Sequence, residues 1–315
     1  MKENALSWIC FVAFVLVMLL LDLGVFHKKD TVMKVKTALG WSLFWITLAL
    51  TFNALVYFTL GREKALDFFT AYLLEKSLSV DNLFIFIMIF GYFSIHPRHQ
   101  HKILFWGIFG ALIMRAVFIF AGVALIDKFE WIMYVFGAFL IYTGLSMLKK
   151  EESPEFHPER NIIIRIFKRI MPVAADNPKG VFFRRIDGRV YATTFFITLL
   201  FIEISDLIFA VDSIPAVLSV SNDTFIVFTS NIFAILGLRA LYFALNGIMR
   251  YFYYLSYALA GILSFIGIKM CVNELTRDIE APFHISNIVS LGVIVALLAV
   301  AIGASVWKKR REGGQ

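Results

Sequence analysis

Nine apolar stretches, each long enough to cross a bilayer as a helix, run through this chain and leave it little choice of fold. A hydrocarbon core of about 30 Å takes about 20 residues in helical form. Stretches of that length lie at about 5–26, 38–60, 67–93, 103–126, 130–148, 190–219, 225–248, 254–274 and 285–307. With 60% hydrophobic residues and a mean hydropathy of +0.78, the chain is too apolar for a water-soluble globule. The expected fold class is all-α, a polytopic membrane protein with about nine transmembrane helices. The first stretch exceeds the apolar part of a signal peptide and no small-residue cleavage site follows it, so it is expected to stay as a helix.

The net charge of +7 does not point to nucleic acid, because the basic residues are confined to short segments between apolar stretches. Rich segments are His27 to Lys36, His96 to Lys102, Lys149 to Arg189 and Lys308 to Arg311, and they alternate with segments that are poor in Lys and Arg. By the positive-inside rule the N-terminus is outside and the C-terminus cytoplasmic. The long basic loop, 149–189, contains Asn161 to Met171, patterned as a short helix lying on an anionic lipid surface. Further on, Asp187-Gly188 between two β-prone runs is a weak hairpin signal. This loop is either a topology-fixing linker or a docking element for other membrane proteins. The two cysteines, Cys10 and Cys271, sit in apolar stretches and support neither a disulfide framework nor a thiolate metal cluster.

Compared with itself, the chain repeats. Glu75-Lys-Ser-Leu-Ser-Val-Asp81-Asn82 resembles Asp206-Leu-Ile-Phe-Ala-Val-Asp212-Ser213, each with an acid six residues before the aspartate of a Val-Asp-polar triplet. Arg115-Ala116 with Gly122 echoes Arg239-Ala240 with Gly247, and Gly137 to Gly144 echoes Ala260 to Gly267. Three helices per unit is an odd number, so the second unit enters the membrane from the opposite side. This is the inverted repeat of secondary transporters, whose sites lie near the midplane between the units. The expected organisation is a two-helix segment at 1–66, a first three-helix repeat at 67–148, the basic loop at 149–189, a second three-helix repeat at 190–274, and a final helix with a basic tail at 275–315.

Acids inside the spans are costly unless paired, protonated or cation-bound. They are Asp22, Glu75, Asp81, Glu203, Asp206 and Asp212, while Asp67 and Glu274 fall at span ends. The bases are Lys76, Arg115, Arg239 and Lys269, so six acids face four bases, a deficit of two that one divalent cation would balance. At helical spacing Glu75 shares a face with Asn82, and Asp206 with Ser213, seven residues on. Asp81 and Asp212 lie off that face, and joining the same site requires local unwinding, for which Pro215 supplies a cause. The candidate ligands for a transported metal ion are Glu75, Asp81, Asn82, Glu203, Asp206, Asp212 and Ser213. An all-oxygen set suits manganese, magnesium or calcium. Arg115 and Arg239 are expected to pair with the acids, either simply holding helices together or fixing the empty site until a cation or proton arrives. The residues imply no tightly bound cofactor. Without a nucleophile–base pair or an HExxH helix, they do not read as an enzyme.

On the segment Glu75 to Asn82, on Glu203-Ile-Ser-Asp206 through Asp212-Ser213-Ile-Pro215-Ala, and on Thr229-Ser-Asn231 through Gly237-Leu-Arg239-Ala, the chain resembles the TerC family, its Alx-like branch most of all. The resemblance covers nearly the whole chain. It implies a bacterial inner-membrane protein, linked with tellurite resistance, alkaline-induced expression and manganese export, with its acidic residues at Glu75, Asp81, Glu203, Asp206 and Asp212. An acidic site repels an oxyanion, so cation movement is the better physical reading. The expected function is export of a divalent cation, most of all manganese, with proton exchange through the same carboxylates. The alternative is a membrane scaffold or metallation partner for exported proteins, acting through residues 149–189.

Overall fold

The computed structural model describes residues 5–26, 35–129, 131–149, 172–174, 180–186, 188–246, 254–276 and 285–312; the side chains of 22–26, 81, 127, 149, 173, 174, 309, 310 and 312 are outside that description. The helices are α1 (Ala5–Phe26), α2 (Val35–Leu60), α3 (Arg62–Tyr92), α4 (Pro97–Lys128), α5 (Ile132–Lys149), α6 (Thr194–Leu218), α7 (Thr224–Leu236), α8 (Leu238–Asn246), α9 (Leu255–Leu275) and α10 (Asn287–Glu312). Local chemistry starts several of them. Thr193 accepts the Phe195 N–H at 3.2 Å to begin α6, and Asp223 accepts those of Phe225 and Ile226 at 3.1 and 3.2 Å to begin α7. Pro97 occupies the first turn of α4, where its missing N–H costs nothing.

Six units are long and apolar enough to cross a membrane by themselves: α2, α4, α6, α7 with α8, α9 and α10. In α1 and α5 the apolar runs are shorter. The 31-residue α3 is long enough, but it carries Glu75, Lys76 and Asp81 in its middle. Counting α7 and α8 together, these elements account for the nine predicted spans. The α7–α8 unit is central, with 83% of its apolar window buried against 17% in α2.

Contacts between helix ends sort the molecule into two faces. Lys64 pairs with Asp223 at 2.7 Å, and Asn287 donates to the Val220 carbonyl at 2.7 Å, which gathers the starts of α3, α7 and α10 with the end of α6. Tyr242 donates to Gln100 at 3.0 Å and His99 packs on Phe195, joining the starts of α4 and α6 to the end of α8. This second face carries the described basic residues of the 96–102 segment and of the β2–β3 hairpin. Between the faces, α4 lies along α6 as α7 lies along α3. Helices α5 and α9 cross with almost no space between backbones: a Cβ on Gly267 would fall 2.5 Å from the Gly137 carbonyl, and one on Gly144 would fall 2.6 Å from that of Ala260. Each of these residues therefore touches the echo of the other: Gly137, which echoes Ala260, meets Gly267, and Gly144, which echoes Gly267, meets Ala260.

One expectation is corrected. Helix α6 does not unwind at Pro215; it is helical from Thr194 to Leu218 with the proline inside. In an apolar setting one lost backbone hydrogen bond costs less than a break that strands several. The break falls instead at Gly237, between α7 and α8, and the helix restarts with Leu241 N–H donating to the Gly237 carbonyl at 3.0 Å. The fold is all-α as expected, with a small sheet before α6: β1 (Val173–Ala174), β2 (Phe183–Ile186) and β3 (Arg189–Thr193), in the order β1-β3-β2. The β2–β3 hairpin closes with Ile186 opposite Arg189 and Gly188 at φ +77°, at the place of the Asp187-Gly188 signal, though Asp187 itself is outside the described residues. Asn161 to Met171, the predicted surface helix, is outside them too.

Candidate functional site

Three charged side chains from three helices meet at the centre. Glu75 of α3, Arg115 of α4 and Asp206 of α6 each lie within three residues of the middle of their helix, which is mid-membrane depth for spanning helices. Glu75 and Arg115 are fully buried and Asp206 is 2% exposed. The Arg115 guanidinium donates through Nη1 to Glu75 Oε1, through Nη2 to Asp206 Oδ1 at 3.2 Å, and through Nε to Asp206 Oδ2 at 3.4 Å. Nη1 also reaches Ser213 Oγ at 3.4 Å, and Ser79 donates to Glu75 Oε1 at 3.5 Å. Ser213 thus shares the Asp206 face, as its spacing of seven residues requires.

The cluster is short of positive charge. Two carboxylates against one guanidinium leave a formal excess of one negative charge when both are ionised. Glu75 Oε2, buried, has no hydrogen-bond partner among the described residues. A buried carboxylate oxygen in that state is an acceptor awaiting a proton or a cation.

The other acids are distributed along α6. Asp212, six residues and about 9 Å beyond Asp206, points to α5 and accepts a hydrogen bond from Thr143 at 3.1 Å. Glu203, three residues toward the basic face, lies with its carboxyl carbon where it would be only 2.5 Å from a Cβ on Gly110 of α4. Gly110→Ala is therefore expected to push this carboxylate out of place and cost about 1–3 kcal/mol by overpacking. Most of that loss should be recovered when Glu203→Ala is added. Thermal unfolding midpoints of the detergent-purified variants measure both, with Gly91→Ala, whose site has nothing within 4 Å, as the control.

Among the described side chains, Asp212 meets Thr143 and Glu203 meets Gly110, each away from the Arg115 cluster. Among the described residues no three His, Cys, Asp or Glu side chains are placed to hold a metal ion. The reason is the guanidinium, which occupies the space between Glu75 and Asp206. Asp81 lies in α3, with its side chain outside the description; Asn82 is buried on the same helix; Arg239 is buried on α8, two residues past the break. The side chain of Asp22 is also outside the description. The buried amide of Asn231 makes no hydrogen bond among the described residues.

Several polar residues were not legible as parts of this arrangement. Lys269, buried rather than reaching outward, donates to Asn287 at 2.6 Å, and Asn287 donates to Asp67 at 2.7 Å. Lys269 and Asn287 border a cavity of about 510 Å³ on the face opposite the basic loops, lined also by Ser219, Ser221, Asn273 and Glu274. It opens at the end of α6, about 9 Å past Asp212. Asn287 was readable only as the start of a helix, and nothing in its neighbours announces its partners.

The family model described as integral membrane protein TerC family matches residues 60–313. The chain is 48% identical over 303 residues to an uncharacterized membrane protein, STKORF319, of Myxococcus xanthus, covering 96% of this chain and 92% of that one. It is 43% identical over 311 residues to a putative membrane-bound redox modulator, Alx, of Salmonella typhi, covering 96% and 94%. The protein of the same name in Escherichia coli K12 is 42% identical over 320 residues, covering 98% and 97%. No solved structure matches. With a family model spanning most of its length and relatives similar from end to end, the chain belongs to the TerC family of integral membrane proteins.

Proposed function

We propose that this protein exports a divalent cation, manganese first among the oxygen-preferring ions, from the cytoplasm of a bacterium across its inner membrane, in exchange for protons carried by the same carboxylates. The observation that carries this reading is the mid-depth cluster in which one arginine is shared by Glu75 and Asp206 and a buried carboxylate oxygen is left without a partner. Arg115 is then the cation surrogate of the empty site: an arriving ion takes over the carboxylates and releases the guanidinium, and the ion's exit restores the pair. Glu203, Asp206 and Asp212 stand along α6 at intervals of three and six residues, a ladder of carboxylates that ends near the polar cavity. With the basic face cytoplasmic, the cation enters by Glu203 and leaves by Asp212. The centre would hold the cargo only in passing, with no resident cofactor and no chemical step of the enzymatic kind.

The relatives' name speaks of redox modulation, but the thiols of this chain favour no thiol exchange: Cys10 sits on α1, and Cys271 on α9 packs against Gly137. A docking role favours the hairpin, whose β2 strand presents Phe183, Arg184 and Arg185 outward from the sheet edge. One experiment separates the two readings. In a manganese-loaded host, wild type should lower total cellular manganese and Asp212→Asn, at equal membrane level, should not. Equal lowering by both, or by neither, would reject Asp212 as an export residue and turn attention to the loop.

A further inference from the structure

The helix break at Gly237 and the lysine beside it form a second device. Helix α7 stops at Leu236, and the last carbonyls of a helix lack partners and carry the negative end of its dipole. Lys76 of α3, half-buried, donates its ammonium to one of them, the Ala234 carbonyl, at 3.0 Å. Among the described residues it makes no ion pair with a carboxylate. Gly237 makes room: a Cβ there would fall 3.0 Å from Lys76 Nζ and 3.0 Å from Trp45 Cβ.

Neither member of this arrangement is repeated in the other half. In the register that aligns Glu75 with Asp206, Lys76 corresponds to Leu207; in the register that aligns Arg115 with Arg239, Gly237 corresponds to Ile113. Helix α4 accordingly runs unbroken where α7–α8 is interrupted. An ammonium and the break that receives it thus occur together at the α3–α7 contact, and both are missing from the equivalent α6–α4 contact.

We infer that the end of α7 is a main-chain cation site filled by Lys76 as a tethered cation, and that this ammonium latches α3 to α7, holding closed one of the two half-pathways that the repeat creates. The latch stands on the geometry alone; its release by cargo rests on the cation reading above. Glu75 and Lys76 are adjacent in the chain, so a cation arriving at Glu75 places positive charge beside the ammonium, which lowers the hold of the α7 carbonyl on it. The half-pathway without a latch carries Glu203 instead, so the two routes differ in the charge they present to a cation.

The test uses the full chain in lipid nanodiscs and follows amide hydrogen exchange. In wild type the segment 231–243 should be protected; Lys76→Met, and Gly237→Val, which crowds the ammonium from the other side, should each accelerate its exchange at least about tenfold while leaving 258–270 in α9 unchanged. Unchanged exchange in both variants, or an equal acceleration throughout the protein, overturns the latch. Adding divalent manganese to wild type should also accelerate exchange in 231–243, an effect that needs no variant to fold and that Glu75→Gln should abolish. If Lys76→Met frees the segment and manganese does not, the latch holds and the cation reading fails; if neither frees it, the latch is wrong.

Discussion

Arg115→Met is expected to lower the stability of the purified protein by about 3–5 kcal/mol, enough to remove most of it from the membrane. The substitution leaves Glu75 and Asp206 buried together with no countercharge, whereas the wild-type guanidinium satisfies both. Arg115→Lys should fare little better, because one ammonium cannot reproduce a fork that spans two carboxylates and Ser213. The discriminating variant is the triple one, Arg115→Met with Glu75→Gln and Asp206→Asn. Removing charge from all three positions takes away the desolvation cost along with the attraction, so its thermal midpoint should return close to that of wild type. A triple variant as unstable as the single one would mean that Arg115 acts through its packing rather than its charge.

Glu75→Gln is expected to leave the protein folded and to slow manganese movement on the order of 100-fold, the range in which metal sites respond to the loss of a supporting carboxylate. The amide keeps an acceptor for Arg115 Nη1, so the helices stay joined, while Asp206 and the guanidinium become a balanced pair with no excess charge to offer. Proteoliposomes of matched protein content, loaded by a manganese gradient and followed with a metal-sensitive dye, measure the rate directly. Transport at the wild-type rate would show that the orphaned oxygen of Glu75 has no part in carrying the ion.

Much of this molecule was legible in the residues because lipid permits so few backbone solutions. Apolar length predicts spans, the placement of Lys and Arg sorts the loops, and a repeated acid pattern locates the helices that meet. The pairing of Glu75 and Asp206 with Arg115 follows from the same logic, since buried charges in an apolar medium must find one another. The spacing argument also separated Ser213, which faces Arg115, from Asp212, which does not.

Choices between local alternatives depended on the fold. Pro215 and Gly237 are both helix breakers by composition, yet only the second interrupts its helix, where Trp45 of α2 and Lys76 of α3 crowd the glycine and the Lys76 ammonium donates to the Ala234 carbonyl. A helix turns 100° per residue, and its neighbours decide which turn faces which. Thr143 therefore claims Asp212, Gly110 receives Glu203, and Arg115 takes the centre. What the sequence determined by itself is the chemistry available at mid-membrane, since the cost of burying each charge belongs to the residue. Which of those charges meet is set by the packing of the helices, because contact across helices depends on rotation and depth that no residue carries alone.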